Sequence, residues 1–344
     1  MQNDIMVSID CITYNHEKYI ADAIESFLMQ KTNFKFEILI HDDSSTDGTS
    51  EIIKKYEQLY PNIIKPIYQK ENQHSKGINV TIKYQLPRAR GKYIAVCEGD
   101  DYWIDPYKLQ KQVDYLEKNK NCSLCFHNAE VIDVANGNKI VKKHIPWAPF
   151  NEKYYYQKNA KYNAGELALL DFIPTASLIF PRNLVTEISK NPPDWITKAI
   201  VGDAPTRLVL ASYGYAYFFD EVMSIYRTNV EGSSTERANI ENQNPNQLIH
   251  RLKGHIEILD GFNEFSHYKY ANQLDEAKKV LEVNMLRVEG KIKELKSKRY
   301  KSFYNQFNTK ERLKIYLSLY APKTYKKLVD IKSVSQNLLS EKNK

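Results

Sequence analysis

No stretch of this 344-residue chain approaches the ~18 uninterrupted apolar residues of a membrane span, so no transmembrane helix is expected. The first residues, Met1-Gln2-Asn3-Asp4, lack the basic start and apolar core of a secretory signal. Cysteine is scarce. Cys11, Cys97, Cys122 and Cys125 are too few and too scattered for a disulfide scaffold, and a reducing cytoplasm is the expected home. Neither G-x-x-x-x-G-K-[ST] nor G-x-G-x-x-G occurs, which counts against kinase, ATPase and dehydrogenase chemistry built on those phosphate cradles. No internal repeat is present. With 42% hydrophobic and 26% charged residues the balance is that of a globular chain, not a disordered one. The length allows two or three domains, or one large α/β domain with an appendage.

The charge is unevenly placed. The chain has 49 Lys/Arg and 42 Asp/Glu, a formal +7. Residues 291–344 carry 15 basic and 4 acidic residues, a net +11, which leaves −4 for the first 290. A basic tail on a mildly acidic body fits a segment facing an anionic surface, membrane lipid or nucleic acid; it equally fits a solvated Lys-rich helical face.

Two periodicities alternate along the first hundred residues. Val7–Ile12 reads as a strand ending in the polar turn Thr13-Tyr14-Asn15-His16, and Ile20, Ala23, Ile24, Phe27 and Leu28 follow at helical spacing. Phe36–Ile40 is a second strand running into Asp42-Asp43-Ser44-Ser45-Thr46-Asp47-Gly48, and Ile52, Ile53, Tyr56 and Leu59 mark the next helix. Strand Ile63–Tyr68, a helix over 78–89 and strand Tyr93–Cys97 complete the series, with Glu98-Gly99-Asp100-Asp101 directly after it. Such alternation implies parallel pairing in βαβ units, and in such sheets ligands bind beyond the carboxyl ends of the strands. The clusters 13–16, 42–48 and 98–101 are therefore expected to meet along one sheet edge. Further on, Asp105-Pro106 is expected to open a helix, and 122–131 to form a strand. A loop or lid is expected over 144–165, a short strand over 176–180 and a helix over 204–213. Strands are expected over 215–219 and 222–226, and helices from about 246 onward.

The polar clusters carry the chemistry. Adjacent carboxylates Asp100 and Asp101 at a strand end repel unless a cation neutralises them, and a hard divalent ion suits carboxylates plus substrate phosphate oxygens. Without a ligand they read as a solvated turn. Asp42-Asp43 reads either as an Asx turn leading to an Asp47 cap or as a hydrogen-bonding partner for a nucleobase or ribose. Tyr14 could stack on a base or pack on the rim. Asp203, before an apolar helical run, reads as an N-cap or as a general base. Cys122-x-x-Cys125, a lone pair inside an apparent strand, reads as core packing.

Taken together, Thr13-Tyr14-Asn15, His41-Asp42-Asp43-Ser44-Ser45-Thr46-Asp47-Gly48-Thr49 and Glu98-Gly99-Asp100-Asp101-Tyr102-Trp103 resemble family 2 glycosyltransferases of the GT-A fold. Gly99–Leu116 is typical of bacterial polysaccharide-building members, and the resemblance covers about residues 5–230. It implies an α/β fold with a Rossmann-like, mostly parallel sheet flanked by helices. The catalytic domain would span 1–240, with a nucleotide-binding half over about 1–103 and an acceptor half over about 104–240; a helical basic extension would span 241–344. It also implies an inverting transfer from a nucleotide-diphosphate sugar, UDP favoured, to a saccharide or lipid-linked acceptor. Carried over position by position, Tyr14 and Asp43 would contact the base, with Thr13 and Asn15 in the same pocket. Asp101, helped by Asp100, would hold Mn²⁺ or Mg²⁺ on the diphosphate. Asp203 would be the base and Arg227, after Tyr226, would steady the diphosphate. Asn229 stands where many relatives carry His, and Asn79 and Arg88 are loose candidates for an Ala-Arg-Asn segment.

The tail lies outside that resemblance. Leu313, Tyr316, Leu317 and Tyr320 share a helical face beside Lys310, Arg312 and Lys314, with Lys323, Lys326 and Lys327 after Pro322. This arrangement fits an amphipathic contact with an anionic membrane, which would place the enzyme peripherally on the inner face of the cell membrane. A helical cap or a homo-oligomer interface fits the same pattern. Two rival functions stand beside the transferase: a sugar nucleotidylyltransferase, and a nucleic-acid-binding protein using the tail. The acidic body argues against the second, so no nucleic-acid partner is expected.

Overall fold

The computed structural model describes residues 5–142, 159–170, 172–199 and 203–321. The expected loop over 144–165 falls largely outside them, as do Pro322, Lys323, Lys326 and Lys327. The described residues form a ten-stranded mixed sheet. The strands are β1 (Ile5–Thr13), β2 (Lys35–Asp42), β3 (Ile64–Tyr68), β4 (Tyr93–Val96), β5 (Tyr102–Trp103), β6 (Cys122–Asp133), β7 (Lys139–Lys142), β8 (Lys161–Tyr162), β9 (Ile179–Pro181) and β10 (Tyr215–Thr228). Their order is β3-β2-β1-β4-β9-β6-β10-β5, with β7 on β6 and β8 on β10. The pairs β3-β2, β2-β1, β1-β4 and β6-β10 are parallel, and β9 is antiparallel to both β4 and β6.

Helix α1 (Ile20–Leu28) forms because Ile20, Ala23, Ile24 and Phe27 recur on one face, all fully buried. They join Val7, Ile9 and Cys11 from one face of β1 in the main core. Burial of each large side chain contributes about 1.5–3 kcal/mol. Helix α2 (Thr49–Leu59) follows β2, and α3 (Lys108–Lys118) follows β5. The other face of β1 carries Ser8 and Asp10, also buried, and its polarity is met by a hydrogen-bonded lattice. Ser8 Oγ donates to Glu37 Oε1 at 2.7 Å, and Arg90 Nε to Glu37 Oε2 at 2.7 Å. Thr81 Oγ1 and Gln85 Nε2 donate to Asp10 at 2.7 and 2.9 Å. Arg88 ties Lys65 O and Ile40 O to Gln85. Gly91 completes the lattice by donating to Ser8 Oγ, and a Cβ there would lie 2.3 Å from Ser8 N.

Four local expectations are corrected. Asp105 and Pro106 do not open α3, which begins at Lys108; Asp105 instead accepts from Tyr107 N at 2.8 Å and pairs with Lys111, so its carboxylate closes a turn. The helix over 78–89 is a π turn (Thr81–Gln85) followed by a 3₁₀ turn (Leu86–Arg88) with Pro87 inside it. The strand over 176–180 is half helical turn, Thr175–Ser177, before β9. The two strands over 215–226 are one, β10, because β6 pairs along its whole length, with register shifts between Phe219 and Ser224.

Two compact units result. One holds residues 1–240 and 257–274; the other holds 241–256 and 275–344. Residues 257–274, placed by the sequence in an extension, group with the first. The described residues of the second unit are mostly helical. In it Arg299 bonds Asp275 and Glu282 at 2.9 Å each, and Leu295, Phe303 and Phe307 are buried. No helix of the described residues is long and apolar enough to cross a membrane.

Candidate active site

The loops after β1, β2 and β4 meet at one edge of the sheet. Asn15 joins the first two: its N–H donates to Ser45 Oγ at 2.9 Å and its Oδ1 accepts from Thr46 N at 2.8 Å. His16 N donates to Thr49 Oγ1 at 2.8 Å, and Glu17 N to Asp47 at 3.0 Å. Asn15 has φ +55°, a left-handed conformation that Asn tolerates well. Asp43 N donates to Thr13 O, and Gly99 N to Ile12 O, both at 2.9 Å. Gly99 is required by crowding, since a Cβ would lie 2.5 Å from Thr13 Oγ1 and 3.0 Å from His16 Nδ1.

The carboxylates then divide by environment. Asp43 is buried and satisfied, with Gln73 N and His74 N donating to it at 2.8 and 3.0 Å. Asp42 holds the Asx turn, accepting from Ser45 N at 3.0 Å. Asp101 is buried; its Oδ1 accepts from Arg227 N at 2.8 Å, while Oδ2 has no hydrogen-bond partner. Burial, then the neighbouring Asp100, pushes the Asp101 carboxyl well above the usual range. Asp100 is the more accessible of the two, with Oδ2 3.8 Å from His16 Nε2. Glu98, partly buried, is raised to about 8 by burial and by the charges of Asp100, Asp203 and Asp10. Asp203 therefore lies within electrostatic reach of the cluster, at the start of helix Asp203–Ser212. Its carboxylate pairs with Arg207 Nη1 at 2.7 Å.

The expected residues take different places. Thr13 is buried with its hydroxyl unpartnered beside Gly99. Tyr14 is 41% exposed, on the rim. Asn15 ties loops together. Arg227 reaches the cluster through its backbone, but its guanidinium bonds Asp100 O at 2.8 Å and the carboxylate of Asp22, not open space. Asn229 is engaged by Asp133 and Asn239. Arg88 belongs to the lattice below β1, and Asn79 accepts from Ile82 N. Cys122 and Cys125 are buried and free, their sulfurs 3.7 Å apart.

The sequence reading gave no role to Glu98, His16 or Asp22. The signal for Glu98 was its place in the strand-end cluster. Asp22 had none, because its partner is 205 residues away.

Orphaned buried oxygens, the raised carboxyls of Glu98 and Asp101 and carboxylate oxygens as donors fit a hard divalent cation. Among the described residues no group of three or more His, Cys, Asp or Glu is arranged to hold a metal. Magnesium-type sites take one or two carboxylates and complete their shell with phosphates and water.

Comparison with known proteins settles the class. The pattern of Glycosyl transferase family 2 matches residues 8–180, half of the chain. The chain belongs to this family. An uncharacterised protein of Mycobacterium tuberculosis is 31% identical over 268 residues, 75% of this glycosyltransferase and 70% of the relative. The Escherichia coli UDP-Glc:α-D-GlcNAc-diphosphoundecaprenol β-1,3-glucosyltransferase WfgD is 34% identical over 47% of this chain and 58% of its own. Staphylococcus aureus TarS (residues 1–349) in complex with UDP superposes with a TM-score of 0.53 at 16% identity, over 90% of this glycosyltransferase and 77% of TarS, and so shares its fold. The expected GT-A architecture is the one observed: a mostly parallel curled sheet, flanking helices and a helical C-terminal region.

Proposed function

We propose that this glycosyltransferase moves a sugar from a nucleoside-diphosphate sugar, UDP favoured, to a hydroxyl of a saccharide or lipid-linked acceptor in polysaccharide synthesis, with inversion at the anomeric carbon. The observation that carries the reading is the carboxylate cluster beyond β4. Glu98, Asp100 and Asp101 crowd together, one Asp101 oxygen lacks any partner, and Asp203, at the start of its helix, is near enough for its charge to act on Glu98. Two such groups side by side are stabilised by a cation, and a nucleoside diphosphate is the substrate class that brings a cation with it.

Asp100 and Asp101 would hold Mn²⁺ or Mg²⁺; once bound, the ion would neutralise charge developing on the leaving diphosphate, a contribution of several kcal/mol. Asp100 is the outward member, and Asp101 lies behind it, fixed by Arg227 N. Asp43 and Tyr14 would contact the base, with Thr13 in the same pocket. The acceptor oxygen bonds to the anomeric carbon as the carbon–phosphate-oxygen bond breaks, and its proton passes to Asp203. Arg207 orients that carboxylate through its 2.7 Å ion pair. Base assistance of this kind is worth roughly 10²–10⁴-fold, so Asp203→Asn should retain donor binding and lose transfer. Near-normal turnover in that variant would dismiss Asp203.

The deciding experiment is a thermal-shift titration with UDP, GDP, CDP and dTDP, each with and without Mn²⁺. A ligand specific to the native state stabilises it by RT ln(1 + [L]/Kd). Metal-dependent stabilisation by one diphosphate supports the reading, and no response to any of the four overturns it. We also propose that the basic C-terminal segment meets an anionic membrane. Arg312, Leu313 and Tyr316 are exposed on helix Thr309–Tyr320. Failure to sediment with anionic liposomes at low salt would sink that proposal.

A further inference from the structure

Arg227 is held on every side by protein. Its guanidinium lies between two aromatic rings, 5.0 Å from the centre of Tyr19 and 4.5 Å from that of Tyr102. One nitrogen donates to Asp100 O at 2.8 Å, another to the carboxylate of Asp22, and the backbone N–H to Asp101 Oδ1 at 2.8 Å. Only 7% of the side chain is accessible. A diphosphate approaching from solvent would meet little of it. A planar cation stacked between two rings and hydrogen-bonded at its edge is held rigidly, because both ring faces and the fork geometry fix its orientation.

We infer that Arg227 is a strut that sets the position of the Asp100–Asp101 loop, and that Asp22 and Tyr19 of α1 are positioning residues for the cation-binding end of the site. The chain of contacts is short and continuous. Asp22 sits in the first turn of α1 and orients one end of the guanidinium. Tyr19, just before that helix, and Tyr102, just after Asp101, cover its two faces. The other end fixes the Asp100 carbonyl and, through the strand-end backbone, the Asp101 carboxylate. Helix α1 is itself anchored in the core by Ile20, Ala23, Ile24 and Phe27, so it supplies a rigid reference for the loop. The carboxylate has little else to hold it: Asp101 is buried, its Oδ1 accepts from Arg227 N at 2.8 Å and its Oδ2 has no partner, so the strut supplies the contact that fixes it. Groups that orient a metal ligand from behind commonly change affinity for the ion by about 10–100-fold when removed.

This inference rests on the proposed cation and diphosphate site, and it opposes direct contact between Arg227 and the diphosphate. The two roles give opposite signs in one variant. Asp22→Asn loosens the strut. If Arg227 is a strut, the Mn²⁺ concentration giving half-maximal UDP-induced stabilisation should rise by about tenfold. Binding of uridine, which reaches neither cation nor diphosphate, should not change. If Arg227 instead grips the diphosphate, freeing it from Asp22 should leave the Mn²⁺ requirement as it was or tighten UDP binding. Either result overturns the inference. Tyr19→Leu should reproduce the Asp22→Asn shift, whereas Asp22→Glu should recover part of the wild-type requirement. A variant that loses uridine and UDP binding in parallel is generally misfolded at the site, and that result also counts against a specific strut. A wild-type chain that binds uridine but shows no metal-dependent UDP response overturns the site reading and this inference together. A wild-type response left unaltered in Asp22→Asn overturns the inference alone.

Discussion

Two buried polar regions lie on the same strand and are built to opposite rules. Below β1, the lattice of Ser8, Asp10, Glu37, Thr81, Gln85 and Arg88 closes on itself. Each carboxylate accepts from side chains or backbone, and Arg88 uses three nitrogens on Lys65 O, Ile40 O and Gln85. Beyond the carboxyl end of the same strand, Thr13 Oγ1, His16 Nδ1 and Asp101 Oδ2 are buried with no partner, and three acidic side chains crowd one loop. Unmade hydrogen bonds in a protein interior cost about 1–3 kcal/mol each. A fold that satisfies one region completely and leaves the other open is therefore most economically read as having a ligand for the second. On the proposed function, the lattice is architecture and the loop edge is where a cation and diphosphate would bind.

The largest expected effect comes from breaking the open region. Asp101→Asn keeps an acceptor for Arg227 N but removes the charge behind the cation site. Transfer should fall by at least about 10³-fold, in line with the loss of several kcal/mol of metal assistance. Metal-free thermal stability should rise, because a repelling carboxylate has gone from beside Asp100. A variant that is both inactive and less stable would place Asp101 in the architecture instead.

Second in size is the converse cut. Gln85→Leu removes the donor to Asp10 Oδ1 and Leu39 O and the acceptor for Arg88, leaving several buried groups unpaired. It should cost about 3 kcal/mol of stability, read from chemical denaturation. At a permissive temperature metal-dependent nucleotide binding should be intact. Loss of binding at full folding would erase the distinction between the two regions.

How much of this contrast could be seen in the sequence depends on what fixed each part. The open region was legible because its residues cluster locally after strands, and the alternation of strands and helices already implied that Thr13–His16, Asp42–Gly48 and Glu98–Asp101 converge. The lattice was not, because Ser8, Asp10, Glu37 and Gln85 interrupt hydrophobic segments singly and find each other only across 29 to 75 residues. Helix boundaries failed where a tertiary contact overrode a local signal. Asp105-Pro106 has the form of a helix start, yet Asp105 is spent on Tyr107 N and Lys111, and Pro106 O takes a bond from Lys31 N. Arg227 was legible as a residue but its partners were not, since nothing local marks Tyr19, Asp22 or Tyr102 as lying against it.

The smallest expected effect sharpens the contrast by pH. Glu98 is shifted from its ordinary value of 4.5 to about 8, first by burial and then by Asp100, Asp203 and Asp10. The folded state thus favours the protonated acid. Stability drawn from that preference is present in full below pH 4.5 and is lost progressively as pH climbs to about 8, with a slope from this one group of at most about 1.4 kcal/mol per pH unit. Glu98→Gln mimics the neutral acid and cannot ionise. Without metal, its denaturation midpoint should fall less than that of the wild type between pH 5 and pH 8. Added Mn²⁺ should reduce the wild-type slope, because a cation beside Asp100 favours ionised Glu98 in the folded state. Equal metal-free slopes in the two proteins would mean that Glu98 adds no pH-dependent cost to the fold, and the open region would then be confined to Asp100 and Asp101.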